Sequence, residues 1–393
     1  MKRLRLPSPF IWILAAMLFA GGAAYIGRGL SLPWQTDQDI DLKLRNDEHA
    51  IFAERIYPHG LVAAADGHAG ITNYTVYPPY AFAIFTPLFA PPGYNPDRAL
   101  FQFLSVAALG LMAFYGASQL RFAGPAAAAL GAAIPLAFSG NFVALCQGQF
   151  SIISTGFVIA QMILLDQKRP IAAGLCWALA MIKPQIAVAF ALLFFIGQRR
   201  NILGLIAGAV SLLALSGVAL LWTGTSPENA VVEGFLSHQL THLQHQSNAA
   251  GMWMGSFGLT PIQATAVAGG LTGLLAVALW LFARQKAESM SIDKTAAVCA
   301  AFGYSGFYHV HYDNMMLFPL LLALVVAALR SGAIVLWATS AILAAICYAE
   351  PGFLVGAVQT SAFVRWFVFL WPPVACAVLL CTPRTERTAA AHA

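Results

Sequence analysis

The chain has 393 residues, 59% hydrophobic and 9% charged, with 21 basic against 16 acidic side chains and a formal charge of +5. A soluble domain carries about 25% charged residues, so this chain lacks the charge to cover a water-facing surface. Its basic residues come in short groups between apolar runs, which points away from a nucleic-acid-binding patch and toward membrane topology.

The amino-terminal MKRLRLPSPF leads into an apolar run ending at Gly27, longer than the about 7 to 15 residues of a signal-peptide core. It reads as an uncleaved first span. About 20 apolar residues are needed to cross the hydrocarbon. That ruler predicts spans near residues 10–28, 98–120, 123–142, 150–166, 202–222, 262–283, 296–309, 314–330, 332–349 and 364–382. Alternation from a cytoplasmic amino terminus puts Arg121, Lys168, Arg169, Arg199, Arg200, Lys294, Arg330 and Arg384 inside, as the positive-inside rule requires. The acidic residues from Asp37 to Asp66, with Glu228, Glu233, Asp313 and Glu350, then fall outside. The expected fold is an all-α polytopic membrane protein of about 10–12 transmembrane helices. Residues 1–393 read as one domain, with a first outer loop at 31–78, a second at 223–260 and a short cytoplasmic tail at 383–393.

Residues 170–198 are too long for one span and carry basic residues at both ends, Lys168-Arg169 and Arg199-Arg200. Proline removes a helix hydrogen bond, so two half-length helices meeting at Lys183-Pro184 are expected. The segment YPPYAFAIFTPLFAPP from Tyr77 is too short and proline-rich to cross and reads as a re-entrant or interfacial element. In the first outer loop, Ile40, Leu44, Ile51 and Ile56 recur at near-helical spacing, predicting an amphipathic helix at the interface. The six cysteines form no CxxC pair and sit almost entirely in apolar runs, so neither disulfides nor a thiolate metal site is expected.

With this topology the conspicuous polar groups converge on the outer face. Asp37, Asp39 and Asp41 alternate with other residues. Such carboxylates can act as a general base toward a hydroxyl, hold a divalent cation, or simply form a solvated acidic loop. Lys183 lies deep in an apolar stretch, where an unpaired charge costs about 2.5–3.5 kcal/mol. It can snorkel, pair with a carboxylate, or meet an anionic lipid phosphate. His238, His242 and His245 share a helical face in SHQLTHLQHQSN, with Gln246 and Asn248 following. A wet interfacial helix, contacts to substrate and a zinc site all fit that spacing, although no HExxH is present. His309, His311 and Asp313 can meet a phosphate or relay a proton, or Asp313 can cap a helix. Gln147, Gln149, Tyr77 and the neighbouring NYTVYPP suit sugar recognition, and the tyrosines equally suit an aromatic belt.

Taken in order, Tyr77-Pro78-Pro79, Gly148-Gln149, Gly174 through Met181-Ile182-Lys183-Pro184, and His309-Val310-His311-Tyr312-Asp313 with Pro319 resemble glycosyltransferase family 87 over roughly residues 10–330. The resemblance implies a GT-C bundle that moves a hexose, most often mannose, from a polyprenyl-phosphate donor to a lipid or glycan acceptor with inversion. It also implies a first-loop aspartate as base, here Asp41 or Asp39, with Asp41 preferred because it shares a helix face with Arg45 and Glu48. Lys183, His309 and His311 would hold the donor phosphate, and Tyr77, Gln147, Gln149, His245, Gln246, Asn248 and Asp313 would contact substrate. No cofactor is expected apart from a divalent cation conceivable at Asp37, Asp39 and Asp41. The expected partners are the donor, the acceptor and membrane lipids, with no nucleic acid, and the expected location is a bacterial inner membrane with both termini cytoplasmic. A multispanning transporter or a flippase of lipid-linked sugar is the rival reading.

Overall fold

A computed structural model describes residues 6–36, 40–58, 77–89, 94–195, 199–230, 291–306, 311–350 and 361–382, with scattered positions between 257 and 281. Among these residues the chain is helical throughout its core. The helices are α1 (Ser8–Thr36), α2 (Ile40–Ala53), α3 (Pro79–Phe85), α4 (Tyr94–Leu120), α5 (Pro125–Leu136), α6 (Gly140–Gln147) and α7 (Ser151–Asp166). They continue with α8 (Pro170–Ala180), α9 (Pro184–Ala187), α10 (Ile202–Thr223), α11 (Ile292–Gly306), α12 (Phe318–Ser331), α13 (Ile334–Tyr348) and α14 (Ala362–Cys381).

Four segments are long and apolar enough to cross a membrane, Ser8–Thr36, Tyr94–Ala123, Ile202–Thr223 and Tyr312–Ser331. A fifth crossing is available if α5 and α6, bent by 45°, form one span. Two further expected spans are shorter: α7 has 16 residues and α13 has 15, so each rises only about 22–24 Å against a hydrocarbon core of about 30 Å. The expected crossing at 262–283 falls largely outside the described residues.

The predicted hairpin is present. Its first arm α8 ends at Ala180, residues 181–183 form the break, and the second arm runs from Pro184 into a 3-10 helix, Val188–Phe195. A break leaves carbonyls without helical donors, which inside a membrane must be met from elsewhere. Side chains meet them: Trp177 donates to Ala187 O at 3.0 Å, Ser154 to Ala180 O at 2.7 Å and Gln161 to Phe190 O at 3.0 Å. Gly174 lets α8 lie directly on Gly204 of α10, where any Cβ would collide with the opposing backbone.

The proline-rich segment is, as expected, too short to cross, and its helix does not lie bare at the surface. Pro79 starts α3, whose Ala81, Phe82 and Phe85 are buried in an aromatic cluster with Phe52, Tyr57, Tyr77, Phe101 and Phe150. Nor does α2 rest on the apolar stripe expected of it. Its buried face carries Leu42, Arg45, Glu48, His49 and Phe52 alongside Ile51, whereas Leu44 stays half-exposed. The face is chosen by what covers it, since Phe52 stacks on Phe82 at 5.5 Å and Arg45 spans one helical turn to Glu48 at 2.5 Å.

Candidate active site

The site begins with a turn. Helix α6 ends at Gly148, which adopts the left-handed conformation with φ +78°, a region costly for any residue with a Cβ. The absent side chain has a second use, because a Cβ at Gly148 would strike Leu42. The start of α2 is seated on that glycine, which brings Asp41 beside the next residue, Gln149. The Gln149 backbone is itself fixed by its N–H donating to Ala144 O at 2.8 Å.

From there the polar groups form one connected chain. Gln149 Nε2 donates to Asp41 Oδ2 at 2.6 Å, and Gln149 Oε1 accepts from Lys183 Nζ at 3.0 Å. Lys183 Nζ also donates to Ser151 Oγ at 2.7 Å and to Asp313 Oδ1 at 2.5 Å. Ser151 Oγ donates onward to the same Asp313 oxygen at 2.6 Å. The Tyr312 ring lies beneath the ammonium, 4.4 Å from Nζ to its centroid, within cation–π range. Lys183 is 3% exposed and Asp313 0%, whereas Asp41 is half-buried at the edge of the cluster. Five residues from four distant segments thus meet at the apex of the broken hairpin.

An ammonium has three N–H donors, and Gln149, Ser151 and Asp313 use all three. Of the fates open to a lysine in an apolar hairpin, pairing with a carboxylate is the one observed. Asp313 does not cap a helix. It sits within the 3-10 turn His311–Leu317, and α12 is preceded by Leu317.

The other expected site residues divide. Gln147 is half-buried at the end of α6, one residue before the turn. Tyr77 is buried rather than in an aromatic belt, with Arg45 4.9 Å from its ring centroid and the Phe85 ring at 5.0 Å. Burial first, then the Asp41, Glu48 and Asp313 carboxylates, push its phenol well above the ordinary tyrosine range against the Arg45 charge, so it stays protonated. His311 lends its backbone to the 3-10 turn, but its side chain is outside what is described, as are Asp37, Asp39, His245, Gln246, Asn248 and His309. The cation site conceived at Asp37, Asp39 and Asp41 therefore falls outside the described residues except for Asp41. Ser151 and the Tyr312 ring were not anticipated as functional.

The opposite ends of the same helices are different in character. A cavity of about 330 Å³ there is lined by Tyr115, Met162, Asp293, Lys294 and Arg330. Met162 lies 11 residues along α7 from Ser151, about 16 Å of helix rise, so this cavity does not adjoin the Lys183 cluster. Tyr115 donates to Asp293, and Arg330 stacks over Phe122 with 4.8 Å to its centroid.

The family model for glycosyltransferase family 87 matches residues 74–305, more than half of the chain. The chain belongs to glycosyltransferase family 87. It is therefore an integral membrane glycosyltransferase, and within the family match lie Tyr77, Gly148-Gln149 and the Lys183-Pro184 break. Asp41 and Asp313 lie beyond the two ends of the match and are joined to it by the contacts above. No curated protein and no solved structure matches this family 87 chain significantly.

Proposed function

We propose that this family 87 enzyme transfers a hexose, mannose first among candidates, from a polyprenyl-phosphate donor to a lipid or glycan acceptor, with inversion and with Asp41 as general base. The observation that carries the reading is the half-buried Asp41 carboxylate held at the rim of a cluster whose interior is a lysine. Transfer from a lipid phosphate needs both parts, a base for the incoming hydroxyl and positive charge for the outgoing phosphate.

In this reading the acceptor O–H gives its proton to the Asp41 carboxylate as its oxygen bonds to the anomeric carbon. The carbon–oxygen bond to phosphate breaks on the opposite face, and the electron pair stays on the phosphate. His309 and His311, which precede Tyr312 and Asp313 in the chain, contact that phosphate directly. Lys183 supplies a fixed positive charge and joins the phosphate when its neutral acceptor Ser151 Oγ gives way. His245, Gln246 and Asn248 of the second outer loop are assigned to substrate.

The reaction is assigned to the extracytoplasmic face of a bacterial inner membrane, with both termini cytoplasmic. In support, Arg121, Lys168, Arg169, Lys294 and Arg330 stand at the helix ends away from Asp41, and cytoplasmic ends carry the excess of Lys and Arg. The test is purified protein supplied with radiolabelled polyprenyl-phosphate sugars and a membrane-lipid acceptor extract. Label moving from donor to acceptor is the expected result. Saturable donor binding or transbilayer movement without transfer would overturn the reading in favour of a flippase.

A further inference from the structure

We propose that Gln149 is a positioning residue for Asp41, an amide strut between base and lysine, rather than a sugar contact. The inference rests on Asp41 being the base. Gln149 is 8% exposed, and its two amide ends are bound in opposite directions, Oε1 to Lys183 at 3.0 Å and Nε2 to Asp41 at 2.6 Å. An ammonium can only donate and a carboxylate can only accept. The chemistry of the two partners therefore fixes which way round the amide sits, an assignment that is otherwise ambiguous for glutamine.

The strut has a rigid foundation. The left-handed Gly148 precedes it, Ala144 O holds its N–H, and Leu42 closes over the glycine. Asp41 stands at the amino-terminal edge of α2, one residue after its start at Ile40. Gln149 thus ties a carboxylate on the first loop to the most deeply held cation of the hairpin. The donated N–H fixes the place of one Asp41 carboxylate oxygen and, with it, the direction of the other.

The test compares Gln149→Met, of similar length but without hydrogen bonds to offer, with Gln149→Glu, which removes the donor and adds a like charge beside Asp41. Gln149→Met is expected to lower kcat by about 10²-fold, the scale of a misplaced catalytic group, with the KM for polyprenyl-phosphate sugar nearly unchanged. The acid limb of its pH–rate profile should move to higher pH, because an undonated carboxylate holds its proton longer. Gln149→Glu should move that limb further, by about one unit or more, since a neighbouring carboxylate disfavours a second charge. A raised KM for the sugar donor with the acid limb unmoved would make Gln149 a sugar contact and overturn the proposal. An unmoved limb with only a lowered melting temperature would make it structural and overturn it equally. Asp41→Asn keeps the two failures apart: if Asp41→Asn is inactive while the Gln149 variants keep the wild-type acid limb, the strut fails and the base stands. If Asp41→Asn turns over normally, the base fails first.

Discussion

Lys183 Nζ and Asp313 Oδ1 lie 2.5 Å apart across 130 residues of sequence, with Asp313 wholly removed from solvent. The pair locks the apex of the broken hairpin to the turn that begins the Tyr312–Ser331 span. It also determines what mutation of the lysine can show. Lys183→Met alone would leave Asp313 buried without its counter-charge, and breaking a buried pair in this way costs about 3–5 kcal/mol. The single variant is therefore expected to melt at a clearly lower temperature. Lys183→Met with Asp313→Asn removes both charges and should recover most of the stability. Transfer by the double variant should still fall about 10²-fold or more, as when a charge-stabilising donor is lost. Melting curves and label transfer on the same two preparations check both halves.

Gly148→Ala tests the seat of α2. The left-handed backbone alone costs about 1–3 kcal/mol for a side-chain-bearing residue, and the new methyl would strike Leu42. Helix α2 is expected to lift, taking Asp41 away from Gln149. Transfer should fall, and limited trypsin digestion should now cut after Arg45, which is 4% exposed in the docked helix. Shortening the neighbour with Leu42→Ala should not rescue the variant, because the Leu42 Cβ and backbone are the atoms in the way.

The docking of α2 should weaken in acid through His49. Burial against Phe52 and Phe89 lowers its pKa below the ordinary 6.5. A lowered histidine pKa means that the unfolded chain takes up the proton first as pH falls. The sign is therefore destabilising below about pH 6.5, growing until the folded-state value is passed, and absent at neutral pH. His49→Leu should match the wild type at pH 7.5 and melt higher than it at pH 5.

Topology is open to a labelling test on described, exposed positions. In a cysteine-free background, Asp47→Cys on α2 should react with a membrane-impermeant maleimide in intact cells. Gln167→Cys, at the other end of α7, should react only after permeabilisation. The reverse pattern would turn the enzyme over in its membrane and move the reaction to the cytoplasmic face.

How much of this was readable in the sequence differs from element to element. The hairpin break was readable because Lys183-Pro184 combines a helix-breaking residue with a charge that an apolar run cannot carry unpaired. Gly148-Gln149 stood out as polar atoms at the start of a span. What Lys183 pairs with was not readable, since its partner is a distant turn and Ser151 looks like any hydroxyl at a helix start. The orientation of α2 was not readable for a related reason. Its isoleucine spacing described a helix on a lipid surface, while the tertiary environment supplied Gly148, Phe82 and Tyr77 and so buried Leu42, Arg45 and Phe52 instead. Helices α7 and α13 fall on the spans that the sequence predicts at 150–166 and 332–349, although with 16 and 15 residues each is shorter than the about 20 residues of a full crossing.

The most direct test of the account is Asp41→Asn, assayed for label transfer from a polyprenyl-phosphate sugar. The carboxamide keeps the shape of the side chain and removes its basicity. With Asp41 as base, transfer is abolished while expression, melting temperature and donor binding remain close to wild type. Wild-type turnover by Asp41→Asn would contradict the account, and the base would have to be sought elsewhere in the first loop, beginning with Asp39.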